Sequence, residues 1–141
     1  MKVAHEANRQ KTISGPPSYL EGIDLADVKK LKEAVRKSVD GQRKRLTEIA
    51  RYIHDNPELG SEELKAYELL TRELEENGFE VQRRLLNIPT AFCATFRGKG
   101  KGPRVAVLAE YDALPGVGHG CGHNLIAASA IGAGRKRSPL R

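Results

Sequence analysis

Between residues 110 and 123 the stretch EYDALPGVGHGCGH brings together Glu110, Asp112, His119, Cys121 and His123. Cys121 and His123 are spaced C-x-H on a glycine-bounded loop, so a thiolate and an imidazole can turn toward one point. That pair suits zinc or a similar divalent cation. Gly118, Gly120 and Gly122 give the loop backbone conformations closed to other residues, which a chain folded around an ion often requires. Asp112 is placed either to bind such an ion or to orient the N–H of a ligating imidazole. His119 could extend the cluster, although its flanking glycines also fit an exposed loop histidine. No second ligand pair with finger spacing exists, which argues against a structural zinc finger.

These residues need elements to hold them. Val28, Leu31, Val35, Val39, Leu46, Ile49 and Ile53 recur mostly every three or four positions and predict a long amphipathic helix from about Asp24, eased at Gly41 and stopped by Asn56-Pro57. A second helix is expected from about Ser61, with Glu62 and Glu63 favourably near its start and Asn77-Gly78 closing it. Three strand candidates follow: FEVQRRLL, TAFCATFR and RVAVLAEY. The third is continuously apolar over residues 105–109, as expected of an interior strand covered on both faces, and Glu110 and Asp112 then sit at its carboxyl end. The small-residue run after His123 starts a further helix. In the same reading Cys93 is a buried small hydrophobe, His54 a packing or capping residue, and GKGKGP a solvated turn without phosphate-loop spacing.

Composition narrows the function. With 141 residues and 39% hydrophobic side chains, one modest domain is expected. The formal charge of +6 invites a nucleic-acid partner, but Arg135, Lys136, Arg137 and Arg141 supply four of those charges at the extreme end. Only 5% of residues are aromatic, leaving few rings for bases to stack on, so no nucleic-acid partner is expected. The first residues lack the apolar core of a signal peptide, and no run approaches the roughly 18 apolar residues of a membrane helix. With two cysteines and no disulfide framework, the expectation is a cytoplasmic protein without a membrane partner. Met1 to Gly22 reads as a disordered leader, residues 23–134 as the folded part and residues 135–141 as a basic tail.

The segments IHDNPELGSEE, LTRELEENGFEV, LAEYDALPG and GHGCGHNLIAASAIGAG, in that order, resemble the N-terminal part of the catalytic domain of the aminoacylase and carboxypeptidase-G-type metallopeptidases. The branch it resembles is that of the amidohydrolases similar to the β-alanyl-lysine dipeptidase and the p-aminobenzoyl-glutamate hydrolase subunit. The resemblance covers about residues 24–134 and implies an α/β fold, a truncated mixed-sheet catalytic domain with two helices, about three strands and the start of a further helix. It implies metal-dependent hydrolysis of an amide bond in a dipeptide or acyl-amino acid, with two divalent metals, zinc or manganese, per full-length site. Cys121 and His123 match the ligands of the C-G-H motif, and Asp112 matches the metal-proximal catalytic acid of the D-A-L-P motif. Many relatives carry Asp or His where this chain has Glu110. Full-length relatives are expected to be homo-oligomers. The general-base glutamate, further ligands and a lid lie, by the same resemblance, beyond the last residue here. The chain alone is therefore expected to be inactive, and the rival reading is a non-catalytic, partner-binding remnant.

Overall fold

Residues 24–98 and 103–135 are described by a computed structural model of the chain. The predicted leader, the KGKG part of the turn (residues 99–102) and residues 136–141 of the predicted tail lie outside the described residues. The chain divides into two units, Met1–Glu33 and Ala34–Arg141. The boundary falls inside the first helix, α1 (Leu25–Asp40), which buries no side chain.

The long helix expected from the apolar repeat is two helices, α1 and α2 (Arg43–Asp55). They part at Gly41 and Gln42, where glycine is a poor helix former and the Gln42 side-chain amide donates to the Ser38 carbonyl at 3.2 Å. Only α2 turns its stripe into a core, through Ile49, Ala50 and Ile53. Helix α3 (Leu64–Glu76) starts three residues later than Ser61 and has no cap from its own first turn. Instead the Glu58 carboxylate accepts the Lys65 and Ala66 backbone N–H groups at 3.0 Å, satisfying donors that every helix start leaves open. Its end is as expected, with Gly78 at φ +83° and the Asn77 amide donating to the Glu73 carbonyl at 2.7 Å.

Strands β1 (Glu80–Arg83) and β2 (Phe92–Thr95) form an antiparallel pair running from Glu80↔Thr95 to Arg83↔Phe92. Phe92 and Ala94 turn toward the core and Cys93 turns away, so Cys93 is exposed and not buried as expected. The reason is the two-residue period of a strand: a small apolar residue between two inward-facing ones must face outward. Helix α4 (His123–Gly134) completes the layer, and Ala127, Ala128 and Ile131 join Ile49, Ala50, Ile53, Ala66, Leu69, Leu70 and Leu74 in one core. Its small residues set the spacing: a methyl group added at Gly132 would come within 2.7 Å of a Leu46 methyl. At the end of α4, Arg135 Nη1 meets Glu73 Oε1 at 2.8 Å, while Arg45 Nη2 meets Glu73 Oε2 at 2.6 Å, so the buried carboxylate is paired on both oxygens.

The third predicted strand is the main difference. The sheet among the described residues has two strands, and residues 103–110 are neither paired nor buried. Val105 is 85% exposed and Leu108 92%. Apolar, β-branched composition favours an extended chain, but a strand exists only through a neighbour that shares its backbone hydrogen bonds, and neither β1 nor β2 reaches this run. Among the described residues the fold is thus mixed α/β, with four α-helices and one hairpin where two helices, three strands and a helix start were expected.

Candidate functional site

Without a strand to carry it, Asp112 is held by its neighbours. The Tyr111 hydroxyl donates to the Thr90 carbonyl, and the Ala113 N–H donates to the Glu58 carbonyl at 2.7 Å. Tyr111 packs against Phe92, and burial, reinforced by the nearby Glu63 carboxylate, raises its phenol above the ordinary value, so it remains a donor. Thr90 is fixed in turn by its hydroxyl, which donates to Glu63 Oε2 at 2.6 Å. Two anchors on either side of Asp112 thus replace the strand end that was expected to hold it.

The loop that follows is closed by its own backbone. Leu114 and Gly118 exchange hydrogen bonds of 2.9 and 3.0 Å, with Gly116 at φ +70° and Gly118 at φ +67°. Those angles are open to glycine and strained for other residues. Gly122, at φ +81°, delivers the chain into α4 with His123 as the first helical residue. The next residue locks that start in place: buried Asn124 donates from its amide to the Ala50 carbonyl of α2 at 3.1 Å.

His123 then lies between two carboxylates. Its Nδ1 is 2.8 Å from Asp112 Oδ1, and its Nε2 is 3.2 Å from Glu110 Oε2. A carboxylate on Nδ1 fixes the ring orientation, the arrangement that prepares the other nitrogen of an imidazole to bind a cation, and here Glu110 contacts that nitrogen. The two acids occupy opposite nitrogens, so the trio does not converge on one point. Among the described residues, no group of three or more His, Cys, Asp or Glu side chains is disposed around a shared ion position. Cys121, free and exposed between Gly120 and Gly122, is available for ligation on the same loop. The donor chemistry therefore fits part of a divalent site: an oriented imidazole, a free thiol and two nearby carboxylates.

The other histidines depart from expectation. His119 is buried, 7% exposed, and neither ring nitrogen has a hydrogen-bond partner within normal geometry among the described residues. Burial, and then the facing His54 ring 6.4 Å away, lower its pKa, while a looser contact to the Ile53 backbone and the Asp112 charge oppose them. The glycines beside it signalled exposure, but the tight 114–118 turn folds its side chain inward. His54 neither packs in the core nor caps α2; it is exposed, with Nδ1 3.1 Å from Asp55 Oδ1. His5 lies outside the described residues.

Three residues that position the site were missed from sequence. Glu58 was visible as an acid shortly before a helix start, and Asn124 as the one strongly polar residue inside an apolar run. Tyr111 carried no signal, because its role depends on a carbonyl 21 residues away. Among the described residues no helix is long and apolar enough to cross a membrane.

No protein-family model matches the chain. Individual relatives do. The chain is 42% identical over 113 residues to a p-aminobenzoyl-glutamate hydrolase subunit of Escherichia coli, an alignment covering 68% of this chain and 23% of that protein. It is 40% identical over 117 residues to Xaa-Arg dipeptidase of Mus musculus, covering 77% and 27%. It is 34% identical over 119 residues to thermostable carboxypeptidase 2 of Saccharolobus solfataricus, covering 74% and 29%. The chain thus spans about a quarter of the length of the curated relatives it matches. These similarities show that over the aligned residues the chain belongs to the amidohydrolase family of the aminoacylases and carboxypeptidase-G-type peptidases.

Proposed function

We propose that this chain carries one wall of a divalent-metal centre for hydrolysis of the amide bond of a dipeptide or acyl-amino acid. Cys121 and His123 are the ligands it contributes and Asp112 is the metal-proximal acid. The observation that carries the reading is the 2.8 Å contact of Asp112 Oδ1 with His123 Nδ1, because it aims a second imidazole nitrogen away from the acid that holds it. The names of the relatives, a hydrolase, a dipeptidase and a carboxypeptidase, support the reaction class. In the two-metal form that the family resemblance implies, zinc or manganese would polarise the scissile carbonyl and activate water.

The chain's own residues orient and hold. Asp112 holds the His123 ring through Nδ1, and Tyr111 and Ala113 keep Asp112 from swinging out of range. Glu110, on Nε2, occupies the nitrogen that a cation would take and must move aside for it. A water-activating base and a second set of donors are needed besides, since general-base action alone contributes about 10²–10⁴-fold. With no convergent group of three donors among the described residues, the isolated chain is proposed not to turn over substrate.

The test is a hydrolysis assay of the purified chain with p-aminobenzoyl-glutamate, an Xaa-Arg dipeptide and N-acetylcysteine, with Zn²⁺ or Mn²⁺ added. Rates equal to metal alone are expected. Metal-dependent turnover abolished by His123→Ala would show that the chain completes an active centre and would overturn the proposed inactivity. A cytoplasmic location and a homo-oligomeric full-length form belong to the same proposal.

A further inference from the structure

Both anchors of Asp112 lead to one place, the start of α3. Glu58 caps that start with its carboxylate and holds the Ala113 N–H with its carbonyl. Glu63, the residue before α3, is buried; its carbonyl accepts the Tyr67 N–H at 2.8 Å and its carboxylate accepts the Thr90 hydroxyl at 2.6 Å. Thr90 is buried too, and its carbonyl accepts the Tyr111 hydroxyl. Contacts thus run from Glu63 through Thr90 and Tyr111 to the acid on the His123 ring, all among the described residues. The segment leading to Thr90 is strained: Arg84, Leu86 and Asn87 have φ of +54°, +53° and +64°, a conformation that is costly for residues with side chains and persists only where neighbours enforce it. Burying a carboxylate is costly as well, and an apolar residue would fill the same space without that cost. The Glu63 charge is accommodated at a helix start and by a hydroxyl bond, which is shorter and stronger to a charged acceptor.

We infer that Glu63 is a positioning residue of the cation site: it fixes Thr90, and through Thr90 and Tyr111 it sets how firmly Asp112 holds His123. The inference rests on the reading of His123 as a metal ligand proposed above. Thr90 is a link with two ends, its hydroxyl on Glu63 and its carbonyl on Tyr111, so removing the hydroxyl alone loosens the carbonyl that Tyr111 uses. The effect at the metal is smaller than that of losing Asp112 itself, and it vanishes once Asp112 no longer holds the ring.

Two measurements on the whole chain test it: calorimetric titration of Zn²⁺, and the NMR shifts of the ring nitrogens of metal-free His123. Thr90→Val, which keeps the shape and removes the hydroxyl, should weaken Zn²⁺ binding by about three- to tenfold, less than the loss of a group in direct contact with a ligating histidine, and should move the ring shifts. Glu63→Met should do the same. Thr90→Ser, which keeps the hydroxyl, should hold both readouts at those of the unaltered chain. In the Asp112→Asn background, Thr90→Val should add nothing. Leu74→Val, a core change at the other end of α3, should lower stability and leave both readouts unchanged. Unchanged affinity and shifts in Thr90→Val, a loss in Thr90→Ser or Leu74→Val equal to that in Thr90→Val, or a full further loss in the double variant would overturn the inference. A chain that binds no Zn²⁺ would instead contradict the ligand reading, and the ring shifts alone then decide whether Glu63 positions Asp112.

Discussion

Residues 103–110 and 111–135 are contiguous in sequence and opposite in structure. The first run is the more apolar, yet Val105 and Leu108 face solvent; the second is rich in glycine and polar groups, yet holds a buried imidazole and a buried amide. What separates them is anchoring. Tyr111, Ala113 and Asn124 each hydrogen-bond a carbonyl of another element, respectively Thr90, Glu58 and Ala50. Burial follows the partners available to the backbone and side chains, so hydrophobicity alone does not place a segment inside.

The widest contrast comes from truncating the same kind of side chain in the two settings. Ile53, 1% exposed under α4, should lose about 2–5 kcal/mol of stability when changed to Ala, whereas Leu108→Ala should stay within about 0.5 kcal/mol, both read from denaturant midpoints at low protein concentration. A shift at Leu108 comparable to that at Ile53 would mean the run is packed in solution.

Next in size are the anchors. Asn124→Ala removes the amide that ties α4 to α2, at a cost of about 0.5–1.5 kcal/mol, with hydrogen exchange at the start of α4 accelerating. If exchange there does not change, Asn124 is not what fixes His123.

The sequence made the helices visible because their signals are local: the spacing of Ile49 and Ile53 and the Asn77-Gly78 stop depend on a few neighbours. It also delivered Asp112, Cys121 and His123 as the residues to watch, and the structure brings the first and third together while leaving the thiol in solvent. It did not show the failure of the third strand, because pairing is non-local and 105–109 reads identically with or without neighbours. Nor did it show the burial of His119, where glycine flanks are compatible with a chain folding out or in.

Smaller effects sharpen the comparison further. Glu58→Gln should cost about 1 kcal/mol by loosening the α3 start, and, because the Glu58 main chain also holds Ala113, the loss should reach Asp112 as a broadening of its NMR signals. Lys65, whose side chain is on the surface of that same turn, should tolerate Ala within about 0.5 kcal/mol.

Calorimetric titration of Zn²⁺ into the chain and into Asp112→Asn, Cys121→Ser, His123→Ala and Cys93→Ser tests the central claim, that Asp112 orients His123 as a cation donor. Binding should be weak but measurable, lost in the Cys121 and His123 variants, unchanged in Cys93→Ser, and weakened about 10–100-fold in Asp112→Asn, the usual cost of removing a group that orients a ligating histidine. Equal affinity in Asp112→Asn and the unaltered chain, or equal loss in Cys93→Ser and Cys121→Ser, would contradict it.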